Sequence, residues 1–191
     1  MDVEELKKAL GTEFSFIFDK INPILQYLDI SRNAKILDIG TGKGRMAIIL
    51  AFNGYKVLTG EPESDTSEYA KQNWLDDAKK VQLDNLITFK AFNAEKMPFE
   101  DNLFDAIFIQ GALHHIDDKG STFNECIRTI KKDGVICILE PSRNGIKIIR
   151  RHNPSHPDAV DPRDFSGESP VEIKKGDMFD AFIYRHVKIE H

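Results

Sequence analysis

The sequence predicts an α/β fold: a doubly wound, mostly parallel sheet of seven strands with helices on both faces. Three observations predict it. A short apolar run, Ile36 to Ile39, turns through Gly40, Gly42 and Gly44 and resumes at helical spacing, the opening of a nucleotide-binding strand–loop–helix unit. Apolar runs then alternate with helix-period segments as far as residue 141, as expected of parallel strands joined by crossover helices. Beyond residue 170 the pattern becomes two alternating runs flanking Gly176-Asp177, which reads as an antiparallel hairpin closing one edge.

Length and composition agree with a single domain. The chain has 191 residues, enough to bury a core without disulfide staples, and its charged fraction of 30% is that of a soluble globular protein. A net charge of −5 provides no global field toward nucleic acid or an anionic membrane, so neither is expected as a partner. No run approaches the roughly 20 apolar residues of a membrane span, and the acidic N-terminus does not read as a signal peptide. The expected location is cytoplasmic. Cys126 and Cys137 show neither CxxC nor metal-ligand spacing and read as reduced core thiols.

Residues 2–10 and 13–28 read as two helices, the second with Phe14, Ile17, Phe18, Ile21, Leu25 and Leu28 on one apolar face. Pro23 is expected to kink that helix or restart it. Phe14, Phe16 and Phe18 make a greasy surface that either packs on the sheet or contributes to a lid. After the first strand and the glycine loop, a helix over 43–53 stops at Asn53-Gly54. The second strand, 56–60, ends on Glu61-Pro62-Glu63, and a polar amphipathic helix is expected over 65–80 with Ser64 or Asp65 as its cap. The third strand spans 86–91 and the fourth 104–110, separated by a turn-rich linker around Met97-Pro98-Phe99. A helix over 120–131, preceded by Asp117 or Asp118 as cap, leads through Lys132-Asp133-Gly134 to a fifth strand over 135–139. A short helix is expected over 144–152, then an irregular loop over 153–169 before the hairpin.

The glycine loop admits three nucleotide readings. A P-loop fails, because Leu37 stands where its first glycine belongs. A dinucleotide fingerprint starting at Gly40 puts Arg45 at its last position; starting at Gly42 it begins too late after the strand. In the third, an acid, Asp38, sits just before the glycines. It would repel a pyrophosphate but suits a cationic amino-acid tail.

The run Asp38-Ile39-Gly40-Thr41-Gly42-Lys43-Gly44 resembles motif I, D-x-G-x-G-x-G, of the class I S-adenosylmethionine-dependent methyltransferases. The resemblance continues in order over roughly 35–141. It implies the sheet order 3-2-1-4-5-7-6 and divides the chain into N-terminal helices (1–30), a cofactor-binding core (35–141) and a short substrate-side segment with the closing hairpin (142–187). It implies S-adenosyl-L-methionine as cofactor, with Asp38, Gly40, Thr41, Gly42 and Gly44 around its methionine end and Glu61 accepting from both ribose hydroxyls. Glu63 is the alternative acid, and Pro62 falls against the adenine. The segment Asn93-Ala94-Glu95-x-Met97-Pro98-Phe99 resembles the family's D-A-E-x-L-P-F, with Asn93 in place of the usual acid. By that likeness Asn93 and the Ala94 N–H meet the adenine, and Glu95 is counted with them among the cofactor-binding residues. The run from Phe104 to Ile116, with Gln110 and Ala112-Leu113-His114-His115, resembles the ubiquinone/menaquinone-biosynthesis-like branch and places the Gln110 carbonyl at the methionine ammonium.

Methyl transfer is a direct displacement in which alignment contributes most, and a hydroxyl or carbon acceptor gains from a base. His114 and His115, after the fourth strand, are the candidate catalytic pair; packing or capping is the alternative. Glu140 and Arg143 lie at the same edge as candidate substrate contacts. His152, His156, Asp158 and His186 match no metal spacing and read as loop residues, so no metal is expected. The expected function is methyl transfer to a small molecule, whose identity and acceptor atom the sequence leaves open, as it does the oligomeric state. A non-catalytic S-adenosylmethionine-binding protein and a nicotinamide oxidoreductase are the alternatives.

Overall fold

A computed structural model describes residues 1–66, 70 and 73–185. The seven strands are ordered β3-β2-β1-β4-β5-β7-β6, as the resemblance implies. The chain divides into two compact units, Met1–Phe92 and Asn93–His191.

In the first unit, α1 (Val3–Leu28) begins at an Asp2–Glu5 capping box and loses helical geometry at Gly11, where φ is 86° and ψ −179°. The two expected helices therefore meet at that glycine. Phe14, Ile17, Phe18, Ile21, Leu25 and Leu28 are all buried, whereas Phe16 points out at 40% exposure. Pro23 does not restart the helix, which runs through it. The carbonyl it cannot pair belongs to Asp19, an exposed residue.

Strands β1 (Ile36–Ile39), β2 (Val57–Gly60) and β3 (Ile87–Phe89) are parallel, with Ile36 opposite Val57 and Val57 opposite Ile87. Helix α2 (Arg45–Phe52) is buried from Met46 to Ala51, and the chain turns at Gly54 as expected. The helix expected over 65–80 is shorter: α3 is Trp74–Lys80. Asp65 and Thr66 are not helical, and the Asp65 N–H bonds the Pro62 carbonyl at 3.1 Å, so a turn forms where a cap was expected. The rest of that prediction, 67–69, 71 and 72, lies outside the described residues.

Gly60 ends β2 where no side chain fits. A Cβ there would lie 2.0 Å from the Lys90 carbonyl and 2.4 Å from the Phe92 ring. Gly60→Ala should therefore destabilise the protein by about 1–3 kcal/mol through overpacking, measured as a lower urea midpoint at unchanged m-value.

In the second unit, β4 (Phe104–Gln110) pairs in parallel with β5 (Ile130–Pro141). The expected turn at Lys132-Asp133-Gly134 becomes an irregularity inside β5: the register passes from Phe104↔Ile130 to Ala106↔Val135, with Asp133 at φ 63°. Helix α4 (Lys119–Thr129) is capped by Asp118, which accepts from the Ser121 N–H. Helix α5 (Arg143–Ile149) is capped by Ser142. β6 (Glu172–Lys174) and β7 (Phe179–Arg185) form the expected hairpin, and β7 runs antiparallel to β5 from Val135↔Arg185 to Pro141↔Phe179. Cys126 and Cys137 are free and buried, and burial pushes both thiols up to about 12.

Candidate functional site

The first unit gathers its predicted residues around the end of β1. Asp38 is buried within the strand, because β1 is covered on both faces and has no solvated side to offer a charge. Its Oδ2 accepts from the Thr59 hydroxyl at 2.8 Å, while its Oδ1 is buried with no hydrogen-bond partner. Burial drives the Asp38 carboxyl up to about 7, against the lowering by the Thr59 hydroxyl, and the nearby charge of Glu61 adds to the rise. Thr41, the next polar residue of the loop, shares a 2.9 Å hydrogen bond with Thr59. Thr59 thus ties the loop to the acid. It was missed as an apparent strand residue, although its place opposite Asp38 in the register explains it.

The loop itself is built from backbone. The Gly40 N–H reaches the Gly60 carbonyl at 2.9 Å, and the Gly44 N–H closes a turn on Thr41 at 2.7 Å. Gly44 combines φ 68° with a neighbour so close that a Cβ would meet Trp74 Cβ at 2.7 Å. Glu61, one residue past β2 and buried, accepts the Gly42 N–H at 2.9 Å. Two of the four segments predicted to hold the cofactor are thereby joined directly. Pro62 is half-buried and Glu63 exposed, so Glu61 rather than its alternative faces the loop. Glu13 of α1 pairs with Lys43 at 3.3 Å and with Arg45, a tether that sequence reading did not foresee. The exposed Lys43 is drawn to Glu13, and the buried polar side chains at the loop are two acids, Asp38 and Glu61, and two hydroxyls, Thr41 and Thr59. Such a cradle accepts a cation and hydroxyl donors and repels phosphate.

In the second unit, the Asn93 side chain closes a local turn by accepting from the Glu95 N–H at 2.9 Å. Ala94 is buried. Glu95 accepts the Asp118 N–H at 2.8 Å, which fastens this segment to the start of α4. Arg128 stitches the following Met-Pro-Phe segment through the Met97 and Phe99 carbonyls, at 3.1 and 2.7 Å. Gln110 ends β4, half-buried, beside Leu139 of β5.

His114 and His115 lie in a 3-10 turn just after β4 (Leu113–His115). The His114 side chain is 1% exposed, and its Nδ1 lies 2.7 Å from Glu140 Oε2. A carboxylate there makes Nδ1 the donor and directs Nε2 away as the lone-pair nitrogen. That Nε2 is buried with no hydrogen-bond partner, as is Glu140 Oε1. His115 is exposed, with its ring 4.1 Å from that of His114. The loop after α5 brings in His156, its ring 5.0 Å from His114 and 5.3 Å from His115. Burial holds the His156 pKa below the ordinary histidine value, outweighing the raising effect of its bond to the Pro157 carbonyl. The sequence grouped His156 with His152, Asp158 and His186. Instead Asp158 pairs with Arg150 at 3.0 Å, His152 stands outside the cluster, and His186 lies outside the described residues. Glu140 and Arg143 also part: Glu140 is buried behind His114 while Arg143 is exposed on the first turn of α5.

Comparison with known proteins agrees with this geometry. A family model described as a methyltransferase domain matches residues 37–138. The 27-O-demethylrifamycin SV methyltransferase of Amycolatopsis mediterranei is 27% identical over 124 residues, 63% of this chain and 44% of that protein. The ubiquinone/menaquinone biosynthesis C-methyltransferase of Rickettsia prowazekii is 33% identical over 115 residues, 58% of this chain and 46% of that protein. The alignments thus span about half the length of these curated relatives. Among solved structures, a candidate S-adenosyl-L-methionine-dependent methyltransferase from Methanococcus maripaludis superposes with a TM-score of 0.74 at 23% identity, covering 97% of this chain and 91% of that one. At that identity the likeness speaks for the fold. The family model covers more than half of the sequence, and the strand order is the one its glycine loop implied. The chain belongs to the methyltransferase domain family, of the class I kind.

Proposed function

We propose that the chain binds S-adenosyl-L-methionine and transfers its methyl group to a small molecule by direct in-line displacement. The observation that carries this reading is the buried acid pair at the glycine loop: Asp38 with an unpartnered Oδ1, and Glu61 on the Gly42 N–H. A buried carboxylate oxygen without a partner calls for a donor or a cation. The amino-acid ammonium of the cofactor supplies one, and its ribose hydroxyls suit the two oxygens of Glu61. On the strength of the resemblance, Asn93 and Ala94 are further proposed contacts for the adenine and Gln110 for the ammonium; Glu95 holds their segment in place through Asp118.

When bound, S-adenosylmethionine supplies a methyl on a sulfonium, already a good leaving group. The chain's own task is to orient the acceptor, exclude water and take up its proton. His114 and His115 follow β4 at the carboxyl edge, where open α/β sheets bind their ligands. Glu140 fixes the His114 tautomer with the Nε2 lone pair available, the arrangement a general base requires. Such a base adds about 10²–10⁴-fold for a hydroxyl or weakly acidic carbon.

The relatives' names place their methyl groups on different atoms, oxygen in one and carbon in another, so the acceptor panel must include both. Incubation with methyl-labelled S-adenosylmethionine and phenols, quinols and secondary amines should yield S-adenosylhomocysteine only when the right acceptor is present. Tight cofactor binding with no transfer across the panel would overturn the enzymatic part of the proposal.

A further inference from the structure

His114, His115 and His156 come from two segments more than a helix apart in the chain, yet each offers one ring nitrogen that lies within 4.8 Å of those offered by the other two. We propose that these three imidazoles form a binding site for a divalent transition-metal ion of the zinc type, with Glu140 as the outer carboxylate. Neither the family match nor the methyl-transfer reading calls for such an ion.

Three features of the cluster point to a metal. The first is the tautomers. Glu140 Oε2 at 2.7 Å makes His114 Nδ1 the donor, and the Pro157 carbonyl at 2.9 Å does the same for His156. Both rings therefore hold their lone pairs on Nε2. A ligating histidine characteristically donates its other N–H to a carboxylate or backbone carbonyl, and here each of the two inner rings has one of these. The second is the orphaned nitrogen: His114 Nε2 is buried and has no hydrogen-bond partner. An ion bonded to it would satisfy that atom and place positive charge opposite the buried Glu140. The third is the way the loop is held. The Arg150 guanidinium donates to the His156 carbonyl at 2.9 Å and pairs with Asp158 at 3.0 Å, while the Val160 N–H reaches Glu140 Oε2 at 3.4 Å. His156 is thus fixed at both sides of its own position.

Imidazole ligands suit zinc, copper, nickel and iron, and three protein ligands leave the open position of a catalytic rather than a structural site. Zinc–nitrogen bonds of about 2.0–2.1 Å require the nitrogens to close to roughly 3.3 Å of one another. Side-chain rotation of the exposed His115 supplies much of that closure. Water or an oxygen of the methyl acceptor fills the open position, and the metal then lowers the pKa of that oxygen. Lone pairs spent on a metal are not available to a base, so the ion would replace His114 and His115 in that role.

The test uses tag-free protein stripped with a chelator, titrated with Zn(II) alone by calorimetry and with Co(II) by visible absorption. It needs neither cofactor nor acceptor, so its failure and the failure of the methyl-transfer reading are separate outcomes. One ion per chain should bind at micromolar Kd or tighter. His156→Ala and His114→Ala should weaken it at least tenfold, and Glu140→Gln by about 10–100-fold. His152→Ala, outside the cluster, should leave it unchanged. His115 is exposed, so His115→Ala should keep the melting temperature of the parent and still lose affinity, which separates ligation from folding. Absence of saturable binding, or binding that survives His114→Ala and His115→Ala, would overturn the proposal.

Discussion

Replacing Glu61 with alanine should abolish S-adenosylhomocysteine binding while leaving the sheet folded. The carboxylate ends β2 outside the strand ladder, so its loss removes no strand pairing. Its Oε2 holds the Gly42 N–H at 2.9 Å, and in the proposed complex its two oxygens accept from the two ribose hydroxyls. Hydrogen bonds to a charged group contribute about 1.5–3 kcal/mol each. Two of them correspond to roughly 10²–10⁴-fold in Kd. Glu61→Gln keeps one acceptor oxygen and should fall between. Gly42→Val attacks the same contact from the backbone, because Gly42 sits at φ 46°, where a β-branched residue is strained. Calorimetric titration checks all three, and wild-type affinity in both Glu61→Ala and Gly42→Val would remove the assignment of the loop.

Asp38→Asn should have opposite effects on stability and on binding. In the ligand-free chain Asp38 is raised from 3.8 to about 7 by burial first, with Glu61 adding and Thr59 opposing. Between about pH 4 and pH 7 the native chain keeps a proton that the unfolded chain has released. Stability therefore falls as pH rises through that window and levels off above it. The full difference is on the order of 4 kcal/mol. Asparagine carries no charge to bury, so Asp38→Asn should melt well above the parent at pH 8 and close to it near pH 4. Binding runs the other way. The ammonium of S-adenosylhomocysteine favours the ionised acid, so wild-type affinity should rise with pH toward 7, by at most about tenfold per pH unit, and then level off. Asp38→Asn should bind weakly with no such slope. Calorimetry at about pH 5.5 and 7.5 reads both, and an asparagine variant that binds as tightly as wild type at pH 7.5 would contradict the role given to Asp38.

The core of the fold was legible because its signals are local. The apolar run at Ile36, the glycines after it and the repeated strand–helix alternation each fix an element without help from distant residues. Gly176-Asp177 announced the hairpin in the same way. The failures come where a longer-range contact competes with local preference. Residues 65–80 have helical periodicity, but Asp65 bonds back to Pro62 in a turn and, among the described residues, the helix is Trp74–Lys80. Lys132-Asp133-Gly134 looks like a connection and is instead absorbed into β5 as a register shift.

The candidate site divides along the same line. Asp38 lies in β1, and Gly42 and Glu61 follow β1 and β2, positions that the strand predictions fix; Glu61 accepts the Gly42 N–H and Asp38 accepts from Thr59. Thr59 and Glu13 escaped notice because a threonine in a strand and a glutamate on an exposed helix face carry no signal of their own. The grouping of His156 with His114 and His115 was hidden for a different reason. The partners of His156 are 41 and 42 positions earlier in the chain, and only the path of the loop after α5 brings it to them. Spacing in sequence cannot reveal a cluster assembled by a loop that has no regular structure.

The central claim, that the glycine loop holds S-adenosylmethionine, is tested most directly by the melting temperature of the wild-type chain with and without its demethylated product. At about a hundred times Kd, S-adenosylhomocysteine should add about 2.7 kcal/mol of stability, a rise of roughly 5–10 °C, while NAD should give none. A shift with NAD and none with S-adenosylhomocysteine would contradict it.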